Sequence, residues 1–315
     1  MPDHSPPTGL SRKRGREVAE RTWSITFDDI SSLKTIFEVI ASVINEVTIH
    51  VRNVDGQWRL EVDAKDYAVT CWVSVRLVLD NVIAPRTGID YFTVDSKFVL
   101  YSIESAGSHH SIMFDHYDVA GSTKVMHIGI VDADHPKHDN VMKLPILEIV
   151  NDGCELPGFD VDMNVELDAI KMREIIKKGR RALSEFIRII VHLFPGGGPN
   201  IPSLTKFVVK GDKAECEMCF YNKTAEQPDG TRVIYTVTQD DNLTEEEFDV
   251  GSGDVVFDNT FPIDKIDAFV KTITCRTIMA QVRQNMPMVL NYHLGGVTDH
   301  SSHIRYIVAP TVDGL

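Results

Sequence analysis

At 315 residues, 43% of them hydrophobic and 25% charged, the chain has the composition of a folded protein with room for two domains, which excludes a disordered or fibrous polypeptide. A formal net charge of -14 excludes a protein that coats nucleic acid with its whole surface, so any contact with DNA must be confined to a patch. No apolar run approaches the roughly 18 residues of a membrane span, and no hydrophobic signal region follows the N-terminal charges. An intracellular protein is therefore predicted, with Cys71, Cys154, Cys216, Cys219 and Cys275 as reduced thiols.

Residues 1–21 offer almost nothing to bury and read as a disordered basic tail, whose run Ser11–Arg16 is a solvated arm or a nuclear-import signal. Trp23–Phe27 alternates like a half-buried strand, and Ile30, Leu33, Phe37, Ile40 and Ile44 then step by three and four like a helix. Strand-like runs follow at Thr48–Val51, Trp58–Val62 and Ala68–Val75, the first two joined by the turn signal Asp55-Gly56. This βαβββ pattern recurs with a strand at Tyr91–Val94, a helix at Ser96–Ala106 closed by Gly107, and strands at Ser111–Phe114 and Val125–Ile130. A third copy starts at Met163–Leu167 and continues through Phe186–Leu193, Lys206–Val209 and Glu215–Tyr221. The fourth runs from Asp254–Phe261 through a helix at Asp264–Thr274 to strands at Ile278–Val282, Met288–Leu294 and His303–Val308. Lys143–Asp162, rich in turn formers, separates copies two and three as a connector, while Pro195–Pro199 and Asn222–Gly230 read as surface insertions.

The helix of the third copy, Ile170–Leu183, segregates its side chains. At about 100° per residue, Met172, Ile175, Ile176, Gly179 and Leu183 fall on one face and Arg173, Lys177, Arg180 and Arg181 on the other. In an acidic chain such a face suits phosphate, although a basic helix is also an ordinary solvated surface.

Repeats in this order, a connector ending in Leu156-Pro157, and a C-terminus reading Pro287–His293 and then Ser302–Pro310 resemble the eukaryotic-type DNA sliding clamp family, proliferating cell nuclear antigen. Leu33–Glu46 is similar to that family's first helix and its exit, and Ala309-Pro310 is the most specific piece. The likeness reads the chain as a divergent member, from a cell or a large DNA virus.

The resemblance implies an α+β DNA clamp fold of two similar domains, 22–142 and 163–315, joined by the connector 143–162, with helices on one face of curved antiparallel sheets. It implies a DNA polymerase processivity factor without catalytic activity or cofactor. Such a factor is a homotrimeric ring that encircles double-stranded DNA regardless of sequence, needs a clamp loader, and recruits replication and repair proteins. Its place is the nucleus or a viral replication site. A monomeric or dimeric processivity factor and a subunit of a hetero-trimeric checkpoint clamp remain open alternatives within the fold.

On the DNA-facing helices the resemblance places Lys34, Lys97, Arg173, Lys177, Arg180, Arg181, Lys265 and Lys271, with Ala41 and Glu104 departing from the family's basic pattern. Sequence-blind sliding needs only such phosphate contacts. A hydrophobic pocket for partner peptides would be walled by Val62, Tyr67, Leu156, Pro157, Pro287, Ile307, Ala309 and Pro310, with Ile307 where the family usually has an aromatic. Subunits would join by pairing Asn140–Leu144 of one chain with Thr205–Val209 of the next, using Val141, Leu144, Phe207 and Val209.

An enzyme reading starts from Asp132, Asp134, His135 and His138, a dense set of metal-ligand types in a polar loop. Cys216 and Cys219 form one CxxC with no second pair, and Gly196–Gly198 is not followed by Lys-Ser or Lys-Thr, so no phosphate-cradling loop is expected.

Overall fold

The computed structural model describes residues 20–84, 91–118, 124–132, 138–148, 161–195, 201–228, 231–236, 253–294 and 302–311, with the backbone alone for 20, 118, 138–140, 235 and 236. Its first half runs β1 (Glu20–Phe27), α1 (Ile30–Val43), β2 (Glu46–Val54), β3 (Gln57–Lys65), β4 (Cys71–Leu79), β5 (Asn81–Ile83), β6 (Tyr91–Asp95), α2 (Ser96–Ile103), β7 (His110–Asp118), β8 (Val125–Asp132) and β9 (His138–Pro145). The second half repeats that order with β10 (Met163–Asp168), α3 (Ala169–Ala182), β11 (Phe186–Leu193), β12 (Ile201–Lys210), β13 (Glu215–Glu226), β14 (Arg232–Thr236), β15 (Asp254–Pro262), α4 (Ile263–Val270), β16 (Thr277–Val282), β17 (Met288–His293) and β18 (His303–Val308). The fold is α+β, with four helices among the described residues set against large sheets that are antiparallel except where β10 meets β14.

Local chemistry fixes the punctuation. Asp29, Asp95 and Asp168 each precede a helix and accept hydrogen bonds from the first free backbone N–H groups of α1, α2 and α3. At the β2–β3 hairpin, Asp55 and Gly56 take φ of 55° and 84°, the primed turn whose twist matches the flanking strands. Gly179 lets α3 lie close, since a Cβ there would come 2.6 Å from Ile263 Cδ1.

One sheet runs β5-β1-β7-β8-β9 and the other β15-β11-β12-β13-β14-β10-β16-β17-β18-β4-β3-β2-β6. The second crosses from one half to the other where β18 pairs with β4, from His303↔Arg76 to Val308↔Cys71. On the helix side of that seam Tyr306 is fully buried, stacks on Phe269 and donates its hydroxyl to the Lys265 carbonyl at 2.9 Å. Met172, Ile175 and Ile176 of α3 are buried as their periodicity predicts.

Several expectations need correction. Asn222–Gly230 is not an insertion throughout, because β13 continues to Glu226 against β14, burying Asn222 and Thr224. Leu183 leaves the apolar face; as the left-handed C-cap (φ 63°) it turns outward, 55% exposed, and Ala182 is buried instead. Helices α2 and α4 end at Ile103 and Val270, earlier than the periodicity predicts, and β5 and β14 carry no strand signal strong enough to predict them. Most of the connector, the Gly196–Gly198 run, Asp134 and His135 lie outside the described residues.

Candidate nucleic-acid interface

The four helices pack as one row in the order α2-α1-α4-α3. One groove separates the neighbouring helices within each half. That between α3 and α4, about 390 Å³, is lined by Arg173, Ile176, Lys177, Arg180, Arg181 and Asp267. The matching groove between α1 and α2, about 300 Å³, is lined by Lys34, Glu38, Lys97, Leu100, Tyr101 and Glu104. The first is strongly cationic, whereas in the second two carboxylates balance two lysines.

The predicted cations do not share one environment. Lys34 and Arg173 are each the fifth residue of their helix, and each caps the C-terminal end of the neighbouring helix. Lys34 Nζ donates to the carbonyls of Glu104 and Ala106 at 2.8 Å, and Arg173 Nε donates to the Val270 carbonyl at 2.9 Å while its Nη2 donates to that of Ile273. These two side chains hold the helices together, a role that charge patterning alone does not reveal. Lys265 faces the seam, with Nζ 3.1 Å from Asp66 Oδ2 in the β3–β4 turn. Arg180 pairs with Asp267. Lys97, Lys177, Arg181 and Lys271 are exposed.

The Asp66 carboxyl carries a pH signature. Burial pushes the Asp66 carboxyl up, but hydrogen bonds from Thr70, Cys71 and Lys265 outweigh it and hold the carboxyl below its ordinary value of 3.8. A carboxyl lowered in the folded state stabilises it above the unfolded value and loses that contribution as pH falls through the folded one. Asp66→Asn is therefore expected to lower the melting temperature at pH 7, with the gap to the parent closing below about pH 4; a gap independent of pH would contradict this assignment.

On the opposite side of the sheet, register identifies an apolar outer row. Lys65, Trp72, Ile307 and Val289 lie directly across from one another on β3, β4, β18 and β17 and so share a face. Ile307 and Val289 are buried and Trp72 is half-buried. Val62 does not belong there. It sits opposite Val75, which sits opposite Ile304, and all three are fully buried on the helix side. Trp72 and Val289 are the outer-face residues that sequence reasoning missed, and counting strand parity from Ile307 would have found them. Tyr67, 85% exposed, stands in the turn beside Thr70, whose carbonyl accepts from Ala309 at 2.9 Å, so Tyr67, Ala309 and Pro310 border the same row, and Pro287 lies half-buried just before β17. Leu156 and Pro157 lie outside the described residues.

The sheet edges also need revision. β9 ends the five-stranded sheet and exposes Val141 and Met142, as an edge that pairs outward requires, whereas Leu144 is already buried opposite Met126. Thr205–Val209 cannot meet it: β12 is hydrogen-bonded to β11 on one side and β13 on the other, which buries Phe207 and Val209 in the core. Among the described residues the second half has two open edges, β15 at the end of its sheet and Glu215–Tyr221 of β13, which β14 covers only from Asn222 to Glu226.

Among the described residues no group of three His, Cys, Asp or Glu side chains is placed to hold a metal. Asp132 and His138 end β8 and begin β9. The thiols at Cys71, Cys219 and Cys275 are pushed up, chiefly by burial, that of Cys71 to about 12.

No protein-family model and no curated protein sequence matches the chain. Solved structures do. Proliferating cell nuclear antigen from Thermococcus kodakaraensis superposes with a TM-score of 0.65 at 13% identity, over 92% of this chain and 100% of that one. That from Entamoeba histolytica gives 0.64 at 12% identity, over 93% and 100%. At this identity the likeness is one of fold, and it spans both halves: the chain has the fold of proliferating cell nuclear antigen.

Proposed function

We propose that the protein is a sliding clamp, a non-catalytic homotrimeric ring that encircles duplex DNA and serves as a docking platform for a polymerase and other partners. The observation that carries this reading is the single row of helices, with its cationic groove between α3 and α4, on a fold that otherwise presents a net acidic chain. Lys177 and Arg181 on α3 are the phosphate contacts, joined by Lys97 on α2 and Lys271 after α4. Contacts of this kind are sequence-blind and weaken steeply with salt. Binding to duplexes of unrelated sequence should therefore be equal and should fall together as salt rises; sequence preference or salt-independent binding would contradict the reading.

Ring closure follows from internal equivalence. Within the chain β18 lies along the start of β4, and α4 packs on α1. The equivalent free elements are β9, the start of β13, α2 and α3, so the same junction forms between copies. Transferring the β18–β4 register sets Lys143 opposite Glu215 and Met142 opposite Cys216. Phe98, 61% exposed on α2 at the position Lys265 holds on α4, then meets the partner copy's β12–β13 turn near the exposed Leu183.

The outer row around Ile307 is the surface for partner peptides, which would dock aliphatic and aromatic side chains against the half-buried Trp72 and the exposed Tyr67, with the buried Ile307 and Val289 as its floor. Tyr67→Ala with Trp72→Ala removes side chains that a docked peptide would cover, worth roughly 1.5–3 kcal/mol each when fully buried, so the affinity of a peptide carrying one aliphatic and two aromatic anchors should drop at least about tenfold. Unchanged affinity in a folded double variant would place the peptide elsewhere.

A further inference from the structure

The groove between α3 and α4 brings together four cations and one carboxylate, and two of the cations are already engaged. Arg173 is spent on the carbonyls that end α4, and the Arg180 guanidinium is ion-paired with Asp267. Among the described residues no carboxylate pairs with Lys177 or Arg181, both exposed. The Arg180 side chain is 57% exposed and that of Asp267 only 14%, so the carboxylate is the deeper partner and the guanidinium stands at the groove mouth. This pair has no counterpart in the first half. The fifth residue of α4 is Asp267 but the fifth of α2 is Leu100, and the place of Arg180 on α3 is taken on α1 by Ala41. Carboxylate and arginine occur together or not at all.

A guanidinium forms the same forked, charge-assisted contact with a carboxylate as with a phosphodiester, and each acceptor carries one negative charge. A phosphate that takes the Nη2 edge of Arg180 must displace Asp267, and one that takes another edge must tolerate that carboxylate's charge beside it. We propose that Asp267 is a built-in competitor for DNA phosphate: it occupies Arg180 in the free protein and confines the resting contact in this groove to Lys177 and Arg181. The consequence is a grip weak enough to slide. This inference rests on the sliding-clamp reading and specifies how its DNA contact is limited.

The test uses the full chain and a short duplex of arbitrary sequence, with binding followed by fluorescence anisotropy over a range of salt concentrations. Asp267→Asn keeps the shape and removes the charge. It should bind about threefold to tenfold more tightly at low salt, and its log affinity should fall with log salt more steeply by about 0.9, the value of one added phosphate contact. Asp267→Leu, which installs the residue of the equivalent α2 position, should behave alike. Adding Arg180→Gln should abolish the gain. Unchanged or weaker binding by folded Asp267→Asn and Asp267→Leu variants would overturn the proposal. Lys177→Ala with Arg181→Ala separates the two levels: if that pair weakens binding while the Asp267 variants change nothing, the competitor fails and the clamp reading stands, and if it has no effect both fail.

Discussion

Met142→Asp is expected to dissociate the ring to monomers at micromolar concentration while leaving the monomer folded. Met142 is 38% exposed on edge strand β9, and its in-chain counterpart on β18 is Tyr306, which is fully buried at the corresponding seam. A charge at this place puts an unpaired carboxylate into each junction, which costs several kcal/mol, against the roughly 1.5–3 kcal/mol that burying the methionine contributes. Charge exchange at the neighbouring pair tests the register itself. Lys143→Glu and Glu215→Lys should each weaken assembly, and the double exchange should restore it. Dissociation by Met142→Asp without rescue in the double exchange would mean that the edges meet in another register. Assembly unaffected by any of these variants would mean that β9 is not the joining edge.

The second large effect concerns the cationic helix, where sequence and structure assign different roles to four residues of similar chemistry. Changing Lys177 and Arg181 to Ala should leave the melting temperature within the range of surface substitutions, about 0.5 kcal/mol each, yet reduce the salt dependence of duplex binding by about 0.9 for each phosphate that is no longer neutralised. Arg173→Ala should do the reverse. It deprives the carbonyls of Val270 and Ile273 of charged donors, with an expected loss of roughly 1.5–3 kcal/mol in stability, and leaves the salt slope close to that of the parent. Thermal melts and binding isotherms on the same preparations separate the two classes. If Arg173→Ala flattens the salt slope without lowering stability, the capping role is wrong.

Much of the architecture is legible because it rests on periodicities that a linear sequence displays. The step of three and four in Ile30–Ile40 and in Met172–Ile176, the alternation in Trp23–Phe27, and Asp55-Gly56 between two strands all report local geometry, and the structure places each as read. What is not legible depends on neighbours. Val62 is apolar in an alternating strand, and only the partners Val75 and Ile304 show that its face is the helix side. Phe207 and Val209 look like edge-strand residues until β11 and β13 are seen to flank them. A basic residue reads the same whether it faces solvent, as Lys177 does, or caps a neighbouring helix, as Arg173 does. Leu183 continues the apolar period, yet the chain has already turned left-handed there. The Asp residues before α1, α2 and α3 are a readable signal that the periodicity overshadows.

Under the proposed function, three copies close into a ring through β9 and the free start of β13. The mass of the unmodified chain in solution, by light scattering coupled to size exclusion at micromolar concentration, decides whether they do. A species of three times 35.3 kDa that keeps this mass across a dilution series is expected; a mass of 35.3 kDa at every concentration would rule the ring out.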